Sequence, residues 1–168
     1  MQPPQILIMR DAGADPALPL PVYATAGAAG ADIRADLGGG AMTILPGQIA
    51  AVPTGLRMQI PDGWEMQLRA RSGLALRHGI TLANGIGTID ADYRGPVAAI
   101  LVNLGPEPFV IRHGDRIAQA VLAPVHRARF SEAEALDGTD RGSGGFGSTG
   151  LRDDVAPGRP RGDPPTDG

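Results

Sequence analysis

The segment Gly87-Thr88-Ile89-Asp90-Ala91-Asp92-Tyr93-Arg94-Gly95 sets two carboxylates two positions apart beside a phenol and an arginine. On a strand, alternation puts Asp90 and Asp92 on one side and Ala91 on the other. Such a pair divides its work, one acid acting as a base and the other pairing with an arginine such as Arg94. The ends Ile86-Gly87 and Arg94-Gly95, ahead of a strand-like run at 97–104, predict a β-hairpin; the alternative is a solvated acidic turn. In Arg69-Ala70-Arg71-Ser72-Gly73, two arginines precede a helix start bearing a hydroxyl and a glycine. That combination suits a phosphate, although most such starts only cap a helix. The small-residue run Ala28-Ala29-Gly30-Ala31-Asp32-Ile33-Arg34 ends in an acid that either approaches a metal-bound water or pairs with Arg34. Gly114-Asp115-Arg116-Ile117-Ala118-Gln119 leads from a turn into a strand with one amide, Gln119, among apolar neighbours.

The fifth segment is Arg141-Gly142-Ser143-Gly144-Gly145-Phe146-Gly147-Ser148-Thr149-Gly150. It has phosphate-loop spacing, but Ser148 stands where lysine is required, and it neither follows a strand nor opens a helix. It reads either as a flexible linker or as an anion-binding arm. For the arm speak Arg141, the hydroxyls of Ser148 and Thr149, and closely spaced glycine amides. Phe146 among glycines also suits a ring that closes over a flat base.

Composition removes several other chemistries. There is no cysteine, hence no thiolate nucleophile, disulfide framework or cysteine-based metal site. All 15 basic residues are arginine, which excludes Schiff-base chemistry. A net charge of −3 argues against nonspecific binding to a nucleic-acid backbone. No long apolar run and no signal-like opening is present, so the expectation is a soluble, cytoplasmic chain without a membrane partner. His78, His113 and His126 lack ligand spacing and are expected to be structural or superficial. Arg161-Gly162-Asp163, a cell-adhesion tripeptide, is attributed to chance.

The elements that must carry these residues are short. Apolar runs at 6–9, 42–45, 55–60, 64–69, 97–104 and 117–122 alternate with Gly/Pro turn signals and predict an all-β sandwich or jelly roll. One short helix is expected at 72–79, with Ser72 as N-cap and Gly79 ending it. The capping-box pattern at 131–134 precedes too short an apolar run for a helix. Gly 25 and Pro 16 make up about a quarter of the chain, close to the range of disordered sequences. A hydrophobic fraction of 42% nevertheless supports a folded core. The glycines and prolines concentrate past Asp137, which predicts a core over 1–136, a mobile glycine-rich arm over 137–150 and a disordered tail over 151–168.

Together and in order, the segments at 29–35, 71–75, 84–95, 114–119 and 141–150 resemble the five motifs of the trimeric dUTP diphosphatases (dUTPases). One departure is Ala70, where the family often has proline. The resemblance implies a jelly-roll-like β-clip fold in a homotrimer with active sites at subunit interfaces. It also implies Mg²⁺-dependent hydrolysis of dUTP to dUMP and pyrophosphate, which supplies dUMP for thymidylate synthesis and keeps uracil out of DNA. Asp90 would be the general base for water attacking the α-phosphorus. Tyr93 would pack on the deoxyribose, while Asn84 and the backbone at Thr88 and Ile89 would read uracil. Arg71, Ser72, Gly73 and Gln119 would hold phosphates, and Asp32 would reach Mg²⁺ through its waters. Phe146 would cover the uracil as Arg141, Gly147, Ser148 and Thr149 close on the phosphates. A dCTP deaminase or bifunctional deaminase–diphosphatase of the same fold, and a noncatalytic dUTP-binding regulatory trimer, are the alternatives.

Overall fold

The computed structural model describes residues 3–145. Its strands are β1 (Leu7–Arg10), β2 (Val22–Tyr23), β3 (Ala31–Arg34), β4 (Ala41–Ile44), β5 (Ile49–Gln59), β6 (Trp64–Arg69), β7 (Ile80–Leu82), β8 (Gly87–Ile89), β9 (Val97–Asn103), β10 (Phe109–Arg112) and β11 (Arg116–Pro124). Among the described residues the one helix is α1 (Ser72–His78). The strands form three antiparallel sheets, ordered β1-β5-β9-β7, β10-β4 and β2-β3-β11-β6-β8. All-β architecture with a single short helix is therefore observed as expected.

Alternation builds the core. Met66 and Leu68 on β6, Val97, Ala99 and Leu101 on β9, and Val52, Leu56 and Met58 on β5 point inward and join one cluster with Ile33, Ile44 and Ile111. Burying each of the Val, Leu, Ile and Met side chains among them contributes about 1.5–3 kcal/mol. The core contains almost no aromatic side chains, so it depends on branched aliphatics fitting closely.

Two local features differ from the sequence expectation. β5 starts six residues before the run at 55–60 and includes Pro53. The ladder to β9 shifts register between Pro53 and Leu56, and such a bulge accommodates a residue with no N–H. Thr54 is buried at this point because its hydroxyl donates to the Val97 carbonyl at 2.6 Å. In α1, Arg71 rather than Ser72 occupies the N-cap, and no side chain caps the helix. Ser72 is already helical, so its hydroxyl does not take the capping position. Gly79 ends the helix as expected, in the left-handed conformation (φ 67°), where a Cβ would also come within 2.8 Å of the Gly105 Cα.

Outside the core lies a compact polar knot. Leu37 N donates to His113 Nδ1 at 3.0 Å, which leaves the ring proton on Nε2, 2.9 Å from Asp15 Oδ2. Buried Asp36 accepts the Asp15 amide at 2.9 Å. His113 is structural, in agreement with the sequence reading.

The chain divides into two units, Met1–Arg127 and Ala128–Gly168. Within the second, no helix forms at 131–134, and Arg141 closes a local turn by donating to the Gly144 carbonyl at 2.8 Å. Phe146, Gly147, Ser148, Thr149 and the tail at 151–168 lie outside the described residues. Among the described residues no helix is long and apolar enough to cross a membrane.

Candidate active site

The outer face of the five-stranded sheet carries the polar residues. Gln119 on β11 stands opposite Asp32 on β3 and opposite Arg69 on β6, so one cross-strand row holds an acid, an amide and a guanidinium. Cross-strand partners share a face of the sheet. Arg71 follows β6 by two residues and turns back over this row. Its NH1 donates to the Arg116 carbonyl at 2.9 Å, and its Nε lies 3.5 Å from Asp32 Oδ1. Arg116 NH1 donates to Asp32 Oδ2 at 3.0 Å. Asp32 thus holds two guanidinium groups, and not Arg34, which donates instead to the Gly114 carbonyl. The Asp32 side chain is 12% exposed, and its Oδ1 is buried without a hydrogen-bond partner among the described residues. Two cations on one carboxylate leave a net positive charge beside Gln119, which suits a polyanion.

Ser72 is exposed and Gly73 half-buried at the start of α1. Gly30 lets Gln119 lie where it does: a Cβ on it would sit 3.0 Å from the Gln119 Cβ and 3.3 Å from its Cδ.

The 84–95 segment is shaped differently from the expected hairpin. β8 pairs with β6, and β9 lies in another sheet, so the two are not hydrogen-bonded to each other. The strand ends at Ile89, and Asp90 to Asp92 form a turn in which Tyr93 N donates to the Asp90 carbonyl at 3.2 Å. Alternation therefore does not set Asp90 and Asp92 side by side. Nor does Arg94 pair with either carboxylate; its NH1 donates to the carbonyls of Ala91 (2.6 Å) and Tyr93 (2.8 Å). Asp90 is exposed and lines a cleft of about 760 Å³ with Asp62, Glu65, Asp92 and Trp64, and with Arg127 as its one basic side chain among the described residues. β8 is the last strand of its sheet, which leaves one edge of its backbone unpaired within the described chain. The Ile89 side chain is buried in the core, so only its backbone is open to a ligand; Asn84 and Thr88 are exposed.

The structure thus brings Asp32, Arg71 and Gln119 together, sets Thr88 opposite Gln67 on the other flank of β6, and places Asp90 past the end of β8 in the cleft. Sequence reasoning passed over Arg116, although its segment was singled out, and also a chain of side chains along β6. Arg69 donates through Nε and NH2 to Gln67 Oε1 (3.1 and 2.6 Å), and Gln67 Nε2 donates to Glu65 Oε1 (2.7 Å). The polar alternation of Glu65, Gln67 and Arg69 was the available signal, but it reads equally as the solvent face of any strand.

A profile of the dUTPase family matches residues 17–150. The chain is 64% identical over 138 residues to the deoxyuridine 5′-triphosphate nucleotidohydrolase of Roseobacter denitrificans, covering 82% of this chain and 91% of that one. It is 55% identical over 149 residues to the enzyme of the same name from Dinoroseobacter shibae, covering 86% and 96%. Among solved structures it is similar to a mutant dUTPase of Staphylococcus bacteriophage 80alpha with dUpNHpp (TM-score 0.73, 22% identity, 88% and 99% covered). It is also similar to the dUTPase of Streptococcus mutans (TM-score 0.66, 28% identity, 73% and 98% covered). The β-clip jelly roll expected from the motifs is the fold of these structures, and the chain belongs to the dUTPase family.

Proposed function

We propose that this chain hydrolyses dUTP to dUMP and pyrophosphate in the presence of Mg²⁺, with Asp90 as general base and the active site shared between the copies of a homotrimer. The observation that carries this reading is the arrangement at Asp32, where two guanidinium groups are fixed beside Gln119 and one buried carboxylate oxygen accepts no hydrogen bond among the described residues. Arg71, with Ser72, Gly73 and Gln119, holds the phosphate oxygens and neutralises charge that builds on them. The exposed Asp90 carboxylate accepts a proton from water as the water oxygen bonds to the α-phosphorus. The bond from that phosphorus to the bridging oxygen breaks, and pyrophosphate leaves. The free edge of β8 and Asn84 read the flat uracil through backbone and amide groups, and Tyr93 packs on the deoxyribose. The 137–150 arm is assigned closure over the uracil and phosphates, through Arg141, Phe146, Gly147, Ser148 and Thr149, on its resemblance to the family's fifth motif.

The residues fit Mg²⁺ held at second hand. No group of three His, Cys, Asp or Glu among the described residues is placed to grip an ion directly, whereas Asp32 Oδ1 offers a buried acceptor for a metal-bound water. Bound with the triphosphate, Mg²⁺ supplies positive charge to the phosphate oxygens. The reaction is placed in the cytoplasm, where dUMP feeds thymidylate synthesis and dUTP is kept from DNA.

Each dNTP incubated with the protein and Mg²⁺ tests the reading. Pyrophosphate should come from dUTP, with no ammonia from any substrate. Ammonia from dCTP, or equal cleavage of all dNTPs, would overturn it. Asp90→Asn should lower kcat about 10³-fold while retaining calorimetric binding of dUpNHpp. Undiminished turnover in that variant would remove Asp90 from the role of base, and absence of turnover in the unmodified protein would favour a noncatalytic trimer.

A further inference from the structure

We infer that Gly95 is a positioning residue whose missing side chain seats the Tyr93 ring, and that this seating governs discrimination between deoxyribose and ribose. The inference rests on the placement of Tyr93 against the sugar proposed above.

Gly95 does not have the positive φ that would require glycine for conformational reasons. What it provides is space. A Cβ there would lie 2.5 Å from Tyr93 Cζ and 2.9 Å from Cε2, and closer still to the phenolic oxygen. No side chain can share that volume with the ring. The ring folds back along its own loop, and its hydroxyl donates to the Pro96 carbonyl at 3.1 Å.

The surrounding backbone is tied on several sides. Tyr93 N donates to Asp90 O, Arg94 NH1 ties the Ala91 and Tyr93 carbonyls, and Arg57 NH1 donates to Arg94 O at 3.3 Å while its Nε is paired with Asp11. An added methyl group at residue 95 therefore displaces the Tyr93 side chain before it displaces the loop. Tyr93 is 44% exposed, so the seated side chain remains open to a ligand. A ring fixed by a carbonyl at one end and a glycine beneath it forms a wall of fixed position. A wall of fixed position rejects a ligand for one extra hydroxyl by about 10²-fold at most, and that modest rejection falls when the wall moves.

The test compares Gly95→Ala, Tyr93→Ala and the double variant, each by the ratio of kcat/KM for dUTP to that for UTP and by melting temperature. Gly95→Ala should lower the ratio about tenfold, and Tyr93→Ala at least as much. Adding Gly95→Ala to Tyr93→Ala should change neither the ratio nor the melting temperature, because the overlap has gone. A wild-type ratio in Gly95→Ala, or an equal fall in melting temperature in both backgrounds, overturns the inference. If Gly95→Ala does not fold, a folded double variant supports the seating and an unfolded one refutes it. An unchanged ratio in Tyr93→Ala instead refutes the placement of Tyr93 on the sugar, and the melting comparison then decides the seating alone.

Discussion

Asp15 shows how one carboxylate couples this fold to acidity. Its pKa is lowered from the ordinary 3.8, first by the Ala17 amide, which donates to Oδ1 at 2.8 Å, and then by His113 at Oδ2. A carboxyl group whose folded pKa lies below its unfolded value contributes stability that is present above the unfolded value. That contribution is lost as pH falls through the folded value. Asp15→Asn should therefore be less stable than the parent protein above pH 3.8, and the difference should shrink as the pH is lowered from there. Urea unfolding at stepped pH values checks the sign; a difference that widened toward acid would contradict it. Asp32 illustrates a separate use of the same chemistry. Its two arginine partners come from different elements, β11 and the segment after β6, so this acid orients cations as well as balancing them.

At the scale of elements, each site residue depends on strand register. Gln119 joins the row of Asp32 and Arg69 because β11 pairs with β3 and β6 at that position and because Gly30 leaves room beside it. Gly30→Ala should push Gln119 aside and lower kcat/KM about tenfold, on the scale of one hydrogen bond to a charged group. The melting temperature should fall as well, because the nearest atom is Gln119 Cβ, which moves only with the β11 backbone; unaltered kinetics would show that Gln119 tolerates the shift. Much of this was legible in the sequence where alternation was clean, as in β6, whose bounds at 64–69 match the expected run. Pro53 concealed the first half of β5, since a proline inside a strand signals a break unless a bulge is known to receive it. The two- to four-residue strands β2, β3, β7, β8 and β10 are too short for any period to register. The hairpin expectation failed because pairing partners are long-range: β8 finds β6, about twenty residues back, rather than the adjacent β9. The motifs singled out Asp32 and Arg71, but not that Asp32 joins Arg71 and Arg116, since those contacts span three separate elements.

At the scale of the whole molecule, the proposed base and the proposed phosphate clamp lie at opposite ends of one strand. Arg69 marks the clamp end of β6, and Glu65 lines the cleft that holds Asp90. The four residue steps from one to the other span about 13 Å. If copies assemble so that one chain's clamp meets another's Asp90, no single chain has to bridge that distance, and a closed cyclic assembly repeats the contact at every interface. This arrangement has a consequence that no single-chain site shares. Asp90→Asn and Arg71→Ala should each be nearly inactive alone, since every site then lacks its base or its clamp. Unfolded together in equal amounts and refolded, they should regain activity. Random assembly places an intact Asp90 against an intact Arg71 at about one interface in four, so about a quarter of the parent rate should return. If base and clamp came from the same chain, every site in the mixture would still carry one defect. The refolded mixture would then be no more active than its components, and the shared-site proposal would fail.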